Sequence, residues 1–185
     1  MRHPRPIDEC YWVEPGRLLA GEYPGDTRID LARRRLADFL GRGVTRFVDL
    51  THPADGLEPY RDLLFEEARR LGLRAHHAPH PIPDMGVPGS LDDMLAALRS
   101  VREGLAAGEG TYVHCWGGVG RTGTVVGCWL VERGMAPETA LAELNDRFGS
   151  MPKARFFGSS PQAPAQFEWV RGWTPRLGLA GDAGD

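Results

Sequence analysis

The chain has 185 residues, 42% hydrophobic and 25% charged, which suits one soluble globular domain with a real core. A net charge of −3 gives no general affinity for nucleic acid, and the 22 basic residues, all arginine except Lys153, are scattered rather than gathered into a patch. Three cysteines (Cys10, Cys115, Cys128) are too few for a disulfide framework, the opening MRHPRPIDECYW has no signal-peptide apolar run, and no eighteen-residue apolar stretch offers a membrane span, so a reducing cytoplasm is the expected location.

In chain order, GRLLAGEYPGD (16–26) reads as a short strand or hairpin closed by a Pro-Gly turn. Ile29, Leu31, Leu36, Phe39 and Leu40 then recur near helical spacing, and Gly41 and Gly43 end that helix. TRFVDLT (45–51) is a strand with an apolar centre, and THPADGLEP is a loop. Residues 60–73 form a second amphipathic helix. Residues 73–90 begin as a strand and become a proline-rich loop. The third helix follows, with Ser90 and Asp93 resembling a capping box. TYVHC (111–115) is a short strand. Residues 121–134 form a nearly all-apolar, hence buried, helix. Residues 136–148 form another, with Pro137 in its first turn. PKARFFGSSPQAP reads as loop, AQFEWVRGW as a last short helix, and 174–185 as a disordered tail. Strands alternating with helices predict an α/β fold, a mainly parallel central sheet flanked by helices, in a single domain over 1–173.

In such sheets ligands bind beyond the carboxyl ends of the strands. Strand 111–115 ends on Cys115, and HCWGGVGRTG (114–123) continues from it. The glycines of Trp116, Gly117, Gly118, Val119 and Gly120 let several amide N–H groups point into one concavity, which binds anions. The start of the next helix adds its positive dipole end. Arg121 adds a planar fork matched to phosphate oxygens. Cys115 lies at the base of this electropositive cup, which favours the thiolate. A thiolate under a bound tetrahedral anion suits attack on phosphorus.

This loop resembles the signature loop of the cysteine-dependent protein tyrosine and dual-specificity phosphatases: His-Cys, five residues, Arg, a hydroxyl residue and Gly. CWGGVGR in particular is similar to the loop of the cyclin-dependent-kinase-associated phosphatases and their bacterial relatives. The resemblance implies a protein tyrosine phosphatase-like fold from about residue 17 to 173. It also implies Cys115 as the nucleophile, Arg121 as the residue that binds the phosphoryl group, Thr122 as helper of the departing thiolate, and His114 as a buttress of the loop. The substrate implied is a phosphorylated protein or peptide carrying phosphotyrosine, with phosphoserine or phosphothreonine as further candidates.

An oxygen leaving group needs a proton. The family carries an aspartate on a mobile loop before the cysteine, and Asp84, in PIPDMGVPG, lies 31 residues before Cys115. Asp92 and Asp93 read as first-turn helix charges, and Asp49 and Asp55 stand too early to match the family's order. SPQAPAQFEWV resembles the glutamine loop of the tyrosine phosphatases and makes Gln162 the candidate that positions the hydrolytic water, with Gln166 four residues on. His52, His76, His77 and His80 lack the carboxylate or cysteine spacing of a metal site, so no metal and no cofactor are expected. A similar loop serves inositol phosphate and phosphoinositide phosphatases, but loop lysines would help hold such polyphosphates, and residues 116–120 carry no charge. A non-enzymatic phosphate-binding module would need neither an acid nor Thr122. Cys128 is about 10 Å along the helix from Arg121 at 1.5 Å per residue, too far for an expected bridge to Cys115.

Overall fold

The computed structural model describes residues 3–174. The tail expected to be disordered lies, from residue 175, outside the described residues. The elements are β1 (Cys10–Glu14), β2 (Leu18–Gly21), α1 (Ile29–Gly41), β3 (Val44–Asp49), the short 3-10 turn η1 (Pro53–Asp55), α2 (Arg61–Arg70), β4 (His76–Pro79), α3 (Leu91–Ala106), β5 (Gly110–His114), α4 (Gly120–Glu132), α5 (Pro137–Phe148), α6 (Ala154–Phe157) and α7 (Pro164–Arg171). The sheet has five strands in the order β1-β2-β5-β3-β4. β2, β5, β3 and β4 are parallel, and β1 joins the edge antiparallel. The expected mainly parallel α/β fold is what the chain adopts.

Strand alternation divides the core. Leu19, Phe47 and Tyr112 point to the face covered by α1 and α2, through Leu36, Phe39, Leu40 and Leu64. Ala20, Val48 and Val113 point to the other face, against α3, α4, α5 and α7. β5 is buried along its whole length and sits between two neighbours, so its carboxyl end opens where flanking elements converge. All 13 residues of α4 are buried, as its apolar sequence predicts. No helix among the described residues is long and apolar enough to cross a membrane.

Three local readings are corrected. The hairpin is formed by β1 and β2, and its turn is at Pro15–Gly16, where Gly16 takes φ +73° and Arg17 N–H donates to the Glu14 carbonyl at 2.9 Å; Pro24–Gly25 lies beyond it. CYWVE forms a strand because Cys10, Tyr11 and Val13 find cover in the two cores, a benefit invisible locally. Residues 154–157 form a helical turn rather than loop. At α3, Ser90 Oγ accepts from Asp93 N–H at 3.2 Å, but the Asp93 carboxylate receives the Ser90 hydroxyl at 2.9 Å. With its carboxylate bonded to that hydroxyl, it does not close the capping box.

Candidate active site

Cys115 follows β5 directly and is 2% exposed. The chain then turns through residues 116–119 into α4, and Gly118 N–H donates to Cys115 Sγ at 3.3 Å. Gly118 has φ +72°, and a Cβ there would collide with the backbone of Gly21 and Glu22. Only glycine lets the loop lie flush on the end of β2. The loop's outer carbonyls are held by side chains: Ser160 Oγ donates to Val119 O at 2.7 Å, and Lys153 Nζ donates to Gly117 O at 3.0 Å.

Arg121 stands in the first turn of α4 and is 2% exposed. Its Nη1 donates to Asp55 Oδ2 at 2.7 Å and to the Ile82 carbonyl at 3.0 Å. Its Nη2 lies 3.1 Å from Asp84 Oδ1. A guanidinium this buried needs fixed acceptors, and these contacts aim it at Cys115 without using all its donors. Asp55 is itself held, accepting from His52 N–H at 3.0 Å in the capping box of η1. Asp84 differs: its side chain is 59% exposed, on the turn where Gly86 N–H donates to Pro83 O at 2.9 Å.

Thr122 is fully buried and its Oγ1 has no hydrogen-bond partner among the described residues. His114 is fully buried too. Its Nδ1 lies 3.2 Å from the Cys115 carbonyl, which can only accept, so Nδ1 carries the proton and Nε2 accepts from Tyr60 Oη at 2.7 Å. Burial lowers the His114 pKa below the ordinary histidine value, against the pull of Asp49. The ring is therefore a neutral strut between Tyr60, at the start of α2, and the Cys115 backbone.

Cys115, Gly117, Val119, Gly120, Arg121, Asp84 and Gln162 line one cavity of about 50 Å³, so the structure brings together most of the residues singled out in the sequence. Gly118, Thr122 and His114 lie behind the lining, and Trp116, 51% exposed, lines a neighbouring groove with Glu22, Tyr23 and Asp26. The Trp116 carbonyl accepts from Tyr23 N–H at 2.9 Å. Gln162 reaches the cavity with an exposed side chain whose amide has no partner among the described residues. Gln166, merely noted in the sequence, is the buried one. Its Oε1 accepts from Gln162 and Ala163 N–H at 3.1 and 2.9 Å, and its Nε2 donates to Gly86 O at 2.8 Å. It packs so closely on Gly120 that a Cβ there would stand 2.8 Å from Oε1.

Sequence reasoning missed Asp55, Lys153 and Ser160. Asp55 was weighed only as an acid. The usable signal was its capping spacing from His52, which fixes its carboxylate locally but not its partner. The histidines go to separate partners: His52 caps η1, His76 pairs with Glu109, His77 with Asp49, and His80 bonds Ser100. Among the described residues no cluster of three His, Cys, Asp or Glu side chains is placed to hold a metal ion.

An α/β sheet with a cysteine at the carboxyl end of its central strand, an amide cup and a buried arginine above it defines a phosphatase domain of the cysteine-dependent class. Residues 8–167 match the family model described as PTP-SAK, Swiss Army Knife protein, DSP-PTPase phosphatase domain, and the chain belongs to that family. It is similar to putative tyrosine phosphatase 067L of Invertebrate iridescent virus 3, with 35% identity over 127 residues, 67% of this chain and 46% of the viral protein. It is 34% identical to cyclin-dependent kinase inhibitor 3 of Rattus norvegicus over 91 residues, 47% of this chain and 41% of that protein. These matches span less than half the length of both relatives. Among solved structures, Tk-PTP in the active form superposes with a TM-score of 0.64 at 25% identity, covering 88% of this chain and 94% of that one. Kinase associated phosphatase superposes with a TM-score of 0.65 at 21% identity, covering 89% and 88%.

Proposed function

We propose that this chain is a metal-independent phosphoprotein phosphatase that hydrolyses phosphotyrosine, with phosphoserine and phosphothreonine as further substrates, through a phosphocysteine intermediate. The observation that carries the reading is the convergence on one small cavity of Cys115, the Arg121 guanidinium and Asp84. The reading assigns the activity to a single domain over 1–173. Its location would be the cytoplasm, where the three free, buried cysteines stay reduced.

The phosphoryl group enters the cup with its oxygens on the loop amides and Arg121. To do so it displaces Asp84 from Nη2, which the exposure of that side chain permits. Cys115 Sγ then attacks phosphorus as the ester P–O bond breaks, and protonated Asp84 gives its proton to the leaving oxygen. In the second step a water held by Gln162 attacks phosphorus, Asp84 takes its proton, and the P–S bond breaks to return the thiolate. Thr122, a buried hydroxyl without a partner, has a proton free to receive the sulfur's charge; leaving such a donor unpaired costs about 1–3 kcal/mol. Charge neutralisation rests on the amides and Arg121, so the scheme requires no metal. Arg121 is also the one cation lining the cavity among the described residues, and Lys153 is engaged by Glu22 at 2.6 Å. This supports a singly phosphorylated substrate over an inositol polyphosphate.

The test is release of phosphate from a phosphotyrosine peptide in the presence of EDTA, with acid quench and peptide mass spectrometry. Turnover together with a phosphoryl increment on the Cys115 peptide supports the reading. Phosphate binding without turnover would leave a binding module.

A further inference from the structure

Lys153 is the only lysine among the 22 basic residues of the chain, and it points at a peptide bond rather than into solvent. Its side chain is 14% exposed, and its Nζ donates to Gly117 O at 3.0 Å and to Glu22 Oε2 at 2.6 Å. Its own N–H donates to Glu9 Oε2 at 3.2 Å, which ties it to the edge of the sheet.

Gly117 O and Gly118 N–H are the two ends of one planar peptide unit. Lys153 holds the oxygen end, and the other end donates to Cys115 Sγ at 3.3 Å. Among the described residues Gly118 N–H is the one backbone donor bonded to that sulfur. A cation on a carbonyl draws charge toward the oxygen and makes the N–H of the same unit a stronger donor. Hydrogen bonds linked in this way reinforce one another, by about 10–30% each. Ser160 fastens the Val119 carbonyl with a neutral hydroxyl, so the charged clamp falls on the peptide whose N–H meets the sulfur.

The same contact decides which end of the peptide faces the sulfur. The unit lies between two glycines, so its rotation meets little intrinsic resistance. A Cβ at Gly117 would meet only Val119 Cγ2 at 3.8 Å, so packing does not pin the peptide on that side. Turned over, it would present its carbonyl oxygen to the sulfur and repel a thiolate. The other groups around the sulfur are Arg121 and Asp84, which line the cavity with it, the neutral ring of His114, and the phenols of Tyr11 and Tyr112, whose pKa values burial raises. We infer that Lys153 is a positioning residue for the nucleophile: it orients and polarises the Gly117–Gly118 peptide so that Gly118 N–H stabilises the Cys115 thiolate. The inference deepens the phosphatase reading above and rests on Cys115 as the nucleophile.

The test follows alkylation of Cys115 by iodoacetamide across pH in the full chain, with the labelled peptide identified by mass spectrometry. At the pH where the native chain reacts at half its plateau rate, Lys153→Met should react about fivefold more slowly, the loss produced by about a tenfold weaker preference for the thiolate. Its plateau rate at alkaline pH should stay within about twofold of native. For a phosphotyrosine peptide, kcat/KM should likewise fall most on its acid limb. Lys153→Arg keeps the charge and should restore both profiles. Glu22→Gln keeps an acceptor for Nζ and removes the opposing charge, so its alkylation should be as fast as native or faster. Native rates for Lys153→Met at every pH would overturn the inference. So would an equal slowing at every pH, or a Glu22→Gln variant as slow as Lys153→Met, since either marks a clamp that only holds the loop against β2. Urea midpoints show whether Lys153→Met is folded; if it is not, the Lys153→Arg and Glu22→Gln arms decide. Failure of the underlying function looks different: the native chain releases no phosphate from the peptide, while the alkylation pattern is still measured.

Discussion

Residues 115–120 and residues 81–89 meet at one cavity but are held by different means. The cysteine loop leaves the central strand and feeds a helix buried along its length. Gly118 lies flush on β2, and Ser160 and Lys153 hold its carbonyls. The acid loop hangs between the edge strand β4 and α3. Ile82 anchors it, donating its N–H to Leu50 O at 3.2 Å, while Asp84 stands in solvent beside Arg121. The contrast follows from the two roles. In the proposed scheme the sulfur and the amides hold one geometry through both steps, since misplaced reacting groups are costly. In that scheme Asp84 first leaves the guanidinium and then meets the leaving oxygen, a movement its exposed side chain allows.

Breaking the rigid side should have the largest effects. Cys115→Ser should abolish turnover while isothermal titration still detects oxyanion binding, because the amides and Arg121 remain. Appreciable phosphate release by this variant would end the phosphocysteine scheme. Arg121→Lys should lower kcat/KM about 10³-fold, since an ammonium cannot satisfy Asp55, Ile82 O and a phosphoryl oxygen together.

On the acid-loop side, Asp84→Asn should lower kcat for phosphotyrosine peptides about 10²-fold. The loss should be much smaller for p-nitrophenyl phosphate, whose leaving group scarcely needs a proton. The alkaline decline in activity should flatten as well; if it persists at near-normal kcat, Asp92 and Asp93 become the acids to test. Asp55→Asn asks whether the rigid side reaches back to η1. Arg121 keeps Ile82 O and Asp84 but loses its buried carboxylate, so kcat/KM should fall about tenfold with the pH profile unchanged.

The smallest effect concerns the strut. Burial lowers the His114 pKa below its ordinary value near 6.5, so below that pH the unfolded chain binds a proton that the folded chain refuses. Stability should therefore fall as pH drops through about 6.5 and recover above it. Urea midpoints at pH 7.5 and 5.5 should show a smaller acid loss in His114→Gln than in the native chain. His80, also lowered by burial, keeps its share in both.

The sequence was most legible where function is local. Cys115, the glycines and Arg121 fall within seven residues, and a strand–turn–helix passage places them by its own geometry. The buried helix after them was readable from its unbroken apolar run. Asp84 was legible only by its distance from the cysteine in a family pattern, and Gln162 and Gln166 could be noted as a pair but not told apart. Strand β1 was lost because its alternation is short and its value comes from cover by distant helices.

What the sequence alone determined is the make-up of the cup: a cysteine, a glycine-rich turn and a guanidinium, set by backbone freedom at glycine and the start of a helix. What only the tertiary structure decided is who holds that cup in place. Asp55, Tyr60 and Lys153 reach it from 66, 54 and 36 residues away, and no local spacing announces them. Parallel strands bring their carboxyl ends to one edge of the sheet. The loops leaving β3, β4 and β5 therefore meet there, and a buried arginine or histidine takes its partner from whichever loop the crossovers deliver.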